Sequence, residues 1–110
     1  MTAPSGVFVG LATLDVVQLV ARPPARNEKT TAEQTWLAAG GPAAVAAIAF
    51  AALGGRAQLW TSLGDSPAAR VVAADLASAG VEVRDAAPPG FELAASVVLL
   101  DAASGERTVV

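Results

Sequence analysis

The chain has 110 residues, 54% apolar and 15% charged, with 10 glycines and no cysteine, histidine or tyrosine. With glycine included the apolar share is roughly 63%, against about 45–50% in an ordinary soluble domain. A domain of this size buries only about two-thirds of its unfolded surface, so the excess is expected to belong to a larger core.

The inventory also removes chemistry. Without cysteine there is no disulfide framework, thiol nucleophile or thiolate metal site. Without histidine there is no Ser-His-Asp triad and no imidazole ligand, so any acid or base is Asp, Glu or the single lysine, Lys29. A net charge of −3, a pI of about 4.7 and arginines scattered from Arg22 to Arg107 exclude a nucleic-acid footprint. Met1 to Gly6 has neither a basic start nor an apolar run, so no signal peptide is expected. The uncharged stretch from Gln34 to Gly55 is interrupted by Gly40-Gly41-Pro42. Its unbroken part, Ala43 to Leu53, rises about 16 Å as a helix, half of a bilayer core. A cytoplasmic protein with no membrane partner is expected.

In chain order, Val7 to Val9 is an apolar run ending at Gly10 and reads as a buried strand. Leu14 to Val20 is rich in β-branched residues and stops before Pro23-Pro24, because proline has no ladder donor. Ala21 to Thr31 is the longest loop-like stretch, in which Glu28 and Lys29 are expected to be solvated. Ala32 to Ala38 alternates weakly and reads as a second strand pairing back on the first. Gly41 then suits a helix cap and Pro42 the first helical position, where a missing N–H costs nothing. The helix, Ala43 to Leu53, is apolar on every face, which predicts burial all round, and Gly54-Gly55 closes it.

Ala57 to Leu63 reads as the next strand. Asp65 and Ser66 are expected to cap a helix beginning at Pro67, with Val71, Val72, Asp75, Leu76 and Ala79 at helical spacing and Gly80 as its stop. Val81 and Val83 form a short strand, and Glu92 to Leu100 a longer one. Ser104-Gly105 signals a hairpin turn into a return strand, Arg107 to Val110. Trp36 and Trp60 are expected to be core or interface aromatics. Strand and helix alternate, so the fold class is α/β, with parallel pairing plus antiparallel hairpins. An end in mid-strand fits a truncated chain.

Two phosphate loops are absent. No Gly-Lys-Ser/Thr follows a glycine-rich turn, and G-x-G-x-x-G does not follow the first strand. Asp15 is an acid in an apolar run. It is either a solvent-facing or turn-capping residue, or a ligand carboxylate at the carboxyl end of the first strand, where open α/β sheets bind ligands. Gly40-Gly41 is either a plain cap or a point where backbone approaches a ligand. Arg107 is either a hairpin-edge cation or a group reaching a phosphate or hydroxyl.

The order of these features narrows the choice. Val7-Phe8-Val9-Gly10, Asp15, Pro24 with Asn27-Glu28-Lys29, Gly40-Gly41-Pro42-Ala43-Ala44, Leu53-Gly54, Leu63-Gly64-Asp65 and Ala79-Gly80-Val81 follow one another. This series resembles the N-terminal part of the ribokinase-like (PfkB) carbohydrate kinases. Gly10-Leu11, Leu14-Asp15-Val16-Val17 and Gly105-Glu106-Arg107-Thr108-Val109-Val110 look closest to the ketohexokinase branch. The resemblance spans nearly the whole chain, residues 1–110, and corresponds to about the first third of such a kinase.

The resemblance implies a parallel α/β core with a β-sheet lid, its strands near residues 15–20, 32–38, 92–100 and 107–110. It implies transfer of the γ-phosphoryl group of ATP, with Mg²⁺, to a sugar or related hydroxyl. Asp15 would accept sugar hydroxyls, Gly40 and Gly41 would lie beside the sugar, Thr13 would add a polar contact and Arg107 would lie near substrate and nucleotide phosphates. The catalytic aspartate, in a Gly-Ala-Gly-Asp segment, and the ATP contacts are expected beyond Val110, so this segment alone is expected to be inactive. Partners implied are a small-molecule sugar and a second copy through the lid strands, or a separate C-terminal half. A non-catalytic binding or dimerisation module, or an inactive gene product, is the alternative. Two positions depart from the family pattern. Val45 stands where asparagine usually points its amide at the sugar, and Pro42 stands where ketohexokinase-like sequences are polar.

Overall fold

The computed structural model describes residues 2–110. The chain forms β1 (Ser5–Val9), β2 (Thr13–Val20), β3 (Gln34–Gly40), α1 (Pro42–Ala52), β4 (Arg56–Thr61), α2 (Pro67–Ser78), β5 (Val81–Asp85), β6 (Ala95–Asp101) and β7 (Arg107–Val109). These make two sheets. One is three-stranded and all parallel, in the order β1-β4-β5. The other is four-stranded and mixed, in the order β3-β2-β6-β7, with β2 antiparallel to β3 and parallel to β6.

The parallel sheet is covered on one face only. Alternation along β4 turns Ala57, Leu59 and Thr61 inward, all buried, with Ala57 and Leu59 in one core with Ala44 and Ala47 of α1, which packs on β4, and Val72 and Leu76 of α2, which packs on β5. Phe8 points the same way and meets Phe50 edge to face, ring centroids 5.4 Å apart. The opposite face carries Val7, Val9 and Trp60, which are open to solvent. One expectation is corrected here and another narrowed. The first strand alternates instead of being buried throughout, because helices pack on only one side of it. Of the two places expected for Trp60, core or interface, the core is excluded: its indole N–H donates to Gln58 Oε1 at 2.7 Å on the open face.

Helix α1 starts as its sequence predicts, with Gly41 at the cap and Pro42 at the first turn. It is not buried all round: Ala44 and Ala47 are fully covered, while Val45 is 54% exposed. A uniformly apolar helix has no preferred face, so its burial is decided by what lies beside it. At α2, Ser66 is the cap, accepting the Ala69 N–H at 3.1 Å. Asp65 lies one residue outside it and is exposed, which corrects the paired-cap expectation. On the loop after β2, Glu28 pairs with Arg22 at 2.8 Å on the surface. Among the described residues no helix is long and apolar enough to cross a membrane.

In the mixed sheet the pairing fixes which side chains share a face. Thr13, Asp15, Val17 and Leu19 of β2 lie beside Gly40, Ala38, Trp36 and Gln34 of β3, and Asp15, Val17 and Leu19 lie beside Ser96, Val98 and Leu100 of β6. The other face turns Leu14 and Ala39 toward the core that α2 covers.

Candidate functional site

The two sheets meet where the chain passes from β1 into β2 and returns from β3 into α1. Leu11 and Ala12 form the outgoing link, and Gly40-Gly41 the return. Thr13 is buried and opens β2 directly opposite Gly40. Two residues on, the half-buried Asp15 accepts a hydrogen bond from Thr13 Oγ1 at 2.9 Å through Oδ1. Asp15 is thus the third residue of β2. It caps no turn; its carboxylate lies against the backbone of Gly40, where an added Cβ would overlap it.

The two glycines are needed for different reasons. Gly40 is the last residue of β3, not part of the helix start, and the strand runs two residues beyond Ala38 because Thr13 and Leu14 still supply pairing partners. Its requirement is space for the carboxylate. Gly41 has φ +92°, a conformation that side chains disfavour, and a Cβ there would lie 2.5 Å from the Leu11 carbonyl oxygen. That same oxygen accepts the Ala44 N–H at 3.4 Å, so the first turn of α1 is tied to the outgoing link. Thr13, Asp15, Gly40 and Gly41 therefore form one cluster, with a carboxylate held over bare backbone. An ionised carboxylate accepts only, and Thr13 occupies part of one oxygen, which leaves acceptor capacity for hydroxyl donors.

Arg107 shares the Asp15 face but does not join the cluster. It pairs with Leu100, which pairs with Leu19, so it stands two strands across and four residues along from Asp15. Strand spacing and rise put the two Cα atoms about 16 Å apart. Trp36 is nearer: it is two residues from Ala38, the partner of Asp15, and is a diagonal neighbour within reach of an aromatic ring. It is 42% exposed, so it too is outside the core.

Sequence reasoning missed two carboxylates that organise the surroundings. Asp75 of α2 accepts the Ala39 N–H at 2.7 Å, immediately before the diglycine. Its signal was present: an acid in the apolar stripe of an amphipathic helix. Asp85, at the end of β5, accepts N–H groups from Leu63 and Ala87 at 2.9 Å on Oδ1 and from Gly64 at 3.1 Å on Oδ2. Slight burial pushes its pKa up, but the three backbone donors outweigh this and hold it below the ordinary aspartate value.

Among the described residues no three acidic side chains gather at metal-ligand distance, and Lys29 is on the exposed loop between β2 and β3.

Solved structures share this fold. No curated protein matches the chain. A crystal structure assigned as a ribokinase from Agrobacterium tumefaciens superposes with a TM-score of 0.88 at 31% identity, covering 99% of this chain and 36% of its own. The Arabidopsis thaliana ribokinase, solved with ribose and ATP, gives 0.67 at 26% identity over 100% of this chain and 36% of its own. Phosphofructokinase-2 from Escherichia coli, in complex with fructose-6-phosphate, shares the fold at a TM-score of 0.74 and 21% identity, over 99% and 35%. The chain thus spans about a third of the length of these relatives. None of them supports the finer ketohexokinase-like placement, whereas the ribokinase-like α/β fold is shown. The profile of the pfkB family carbohydrate kinases matches residues 4–110, and the chain belongs to that family.

Proposed function

We propose that this chain supplies the sugar-facing part of an ATP-dependent kinase that phosphorylates a sugar or a related hydroxyl compound. The observation that carries the reading is the Asp15 carboxylate, oriented by Thr13 and held against the bare backbone of Gly40. Vicinal hydroxyls present paired O–H donors, and a carboxylate is the side chain with acceptors to match them. Gly40 gives the carboxylate the space in which it rests, and Gly41 makes the turn that brings the link after β3 against Leu11. Thr13 fixes the carboxylate rotamer, so less ordering is left to occur on binding.

Arg107 comes from the far corner of the same face and is assigned to phosphate recognition, which needs the mixed sheet to bend toward the ligand. That sheet acts as the lid, and its exposed apolar residues, Trp36 and Val109, suit contact with a second copy. ATP and Mg²⁺ would be held by residues outside this segment, as would the catalytic aspartate. The segment's own task is to bind and orient the sugar.

Asp15→Ala tests this in the protein as encoded. Charge-assisted hydrogen bonds contribute about 1.5–3 kcal/mol each, so sugar KM should rise roughly 10- to 100-fold while ATP KM stays within about twofold. Unchanged sugar affinity would confine Asp15 to a structural role and remove the basis of the proposal.

A further inference from the structure

We infer that Asp75 is a positioning residue for the sugar site, acting through the backbone of β3; the inference rests on the sugar reading of the Asp15 cluster. Strand β3 is an edge of the mixed sheet. Ala39 lies opposite Leu14, and Leu14 donates its N–H to the Ala94 carbonyl at 3.0 Å, on the β6 side and away from β3. In an antiparallel ladder this makes Leu14 and Ala39 a non-hydrogen-bonded pair, so the Ala39 N–H also points away from β2, toward the open edge. Ala39 is only 8% exposed, and no further strand stands there to accept it. An unpaired buried N–H costs free energy comparable to a lost hydrogen bond.

Asp75 Oδ2 fills that place at 2.7 Å from a helix 36 residues further along the chain. Its neighbours on α2, Val72 and Leu76, are fully buried, so this carboxylate interrupts the apolar stripe that packs the helix. The bond fixes the last residue before Gly40-Gly41. Gly40 in turn is the surface against which the Asp15 carboxylate rests, and a Cβ there would not fit. Asp75 therefore sets where the diglycine stands beneath Asp15 and couples α2 to the ligand cluster without touching the ligand.

The test compares Asp75→Leu, which fills the volume with no acceptor, with Asp75→Asn, whose carbonyl oxygen still accepts from Ala39, in the protein as encoded. Losing a hydrogen bond to a charged group corresponds to roughly a 10- to 100-fold effect. Asp75→Leu should raise sugar KM by that factor, leave ATP KM within about twofold, and be rescued to within about threefold by Asp75→Asn. Backbone amide exchange provides a readout independent of turnover: Asp75→Leu should accelerate exchange at Ala39 and Gly41 by a similar factor, with β4 unchanged. A sugar KM unmoved by Asp75→Leu, or an Asp75→Asn protein as impaired as Asp75→Leu, overturns the inference. If the wild-type protein phosphorylates no sugar, the sugar reading fails by itself. Exchange then decides the positioning role: local acceleration supports it and unchanged protection refutes it.

Discussion

Replacing Gly40 with alanine isolates the contact on which the site depends. Gly40 lies in extended backbone that any residue adopts, so the change introduces no φ strain. What it introduces is a methyl group in space held by the Asp15 carboxylate. Asp15 must then leave its position and give up the 2.9 Å bond from Thr13. Overpacking costs about 1–3 kcal/mol and the lost charge-assisted bond about 1.5–3, so a total of about 2–4 kcal/mol is expected with partial relaxation. In an Asp15→Ala background the obstructing atoms are gone, and the same substitution should cost under about 1 kcal/mol. Urea denaturation of the wild type, the two single variants and the double variant closes a cycle with an expected coupling of about 2 kcal/mol. Additivity to within about 0.5 kcal/mol would mean that the carboxylate does not rest on Gly40, and the argument for the cluster would fail.

Gly41→Ala should behave differently. Its φ of +92° and the 2.5 Å approach to the Leu11 oxygen are backbone constraints, so the loss, about 2 kcal/mol or more, should persist when Asp15 is alanine; rescue in the same cycle would contradict this. Asp85→Asn should lower stability at neutral pH, because one amide oxygen cannot replace two acceptors and its NH₂ opposes the Gly64 N–H. The folded pKa of Asp85 is depressed, so its contribution is present above the ordinary value of 3.8 and is lost as pH falls through the folded value. Denaturation curves should therefore show the gap between wild type and Asp85→Asn closing in acid, and a gap independent of pH would refute the assignment. Val45→Asn, at an exposed position on the first turn of α1, should change stability by less than about 0.5 kcal/mol. In a sugar panel it should raise kcat/KM by about tenfold or more for substrates with an additional hydroxyl on that side. An unchanged panel would place Val45 away from the ligand.

The elements bounded by punctuation residues were legible in the sequence. Gly41-Pro42 and Ser66-Pro67 announce both helices because cap geometry is a local property, and Asp15, Gly40 and Gly41 stood out as residues that fit poorly in their runs. What was not legible depends on register. Gly40 reads from the sequence as part of the helix start because nothing near it in sequence reveals that Thr13 continues the ladder opposite. Asp75 could not be connected to Ala39 without knowing that β3 is an edge strand and which of its N–H groups face outward. Tryptophan gives no direction by itself: Trp36 and Trp60 are large enough for a core, yet alternation puts each on an uncovered face. For Arg107 only the family resemblance implies a role, and its distance from Asp15 follows only from the strand order across the sheet.

The parallel pairing of β2 with β6 also constrains how the molecule assembles. Leu14 pairs with Ala95, and both helices, β4 and β5 lie between them in the chain. The β2–β3 pair closes a loop of modest length, whereas the β2–β6 seam must close one that contains most of the chain. Closure entropy grows with loop length, and contacts distant in sequence slow folding. The β2–β3 hairpin should therefore form early and wait with one edge unpaired until α1, β4, α2 and β5 have folded and brought β6 alongside. During that interval the unpaired edge of β2, from Leu14 to Val20, is the chain's most exposed route to misassembly.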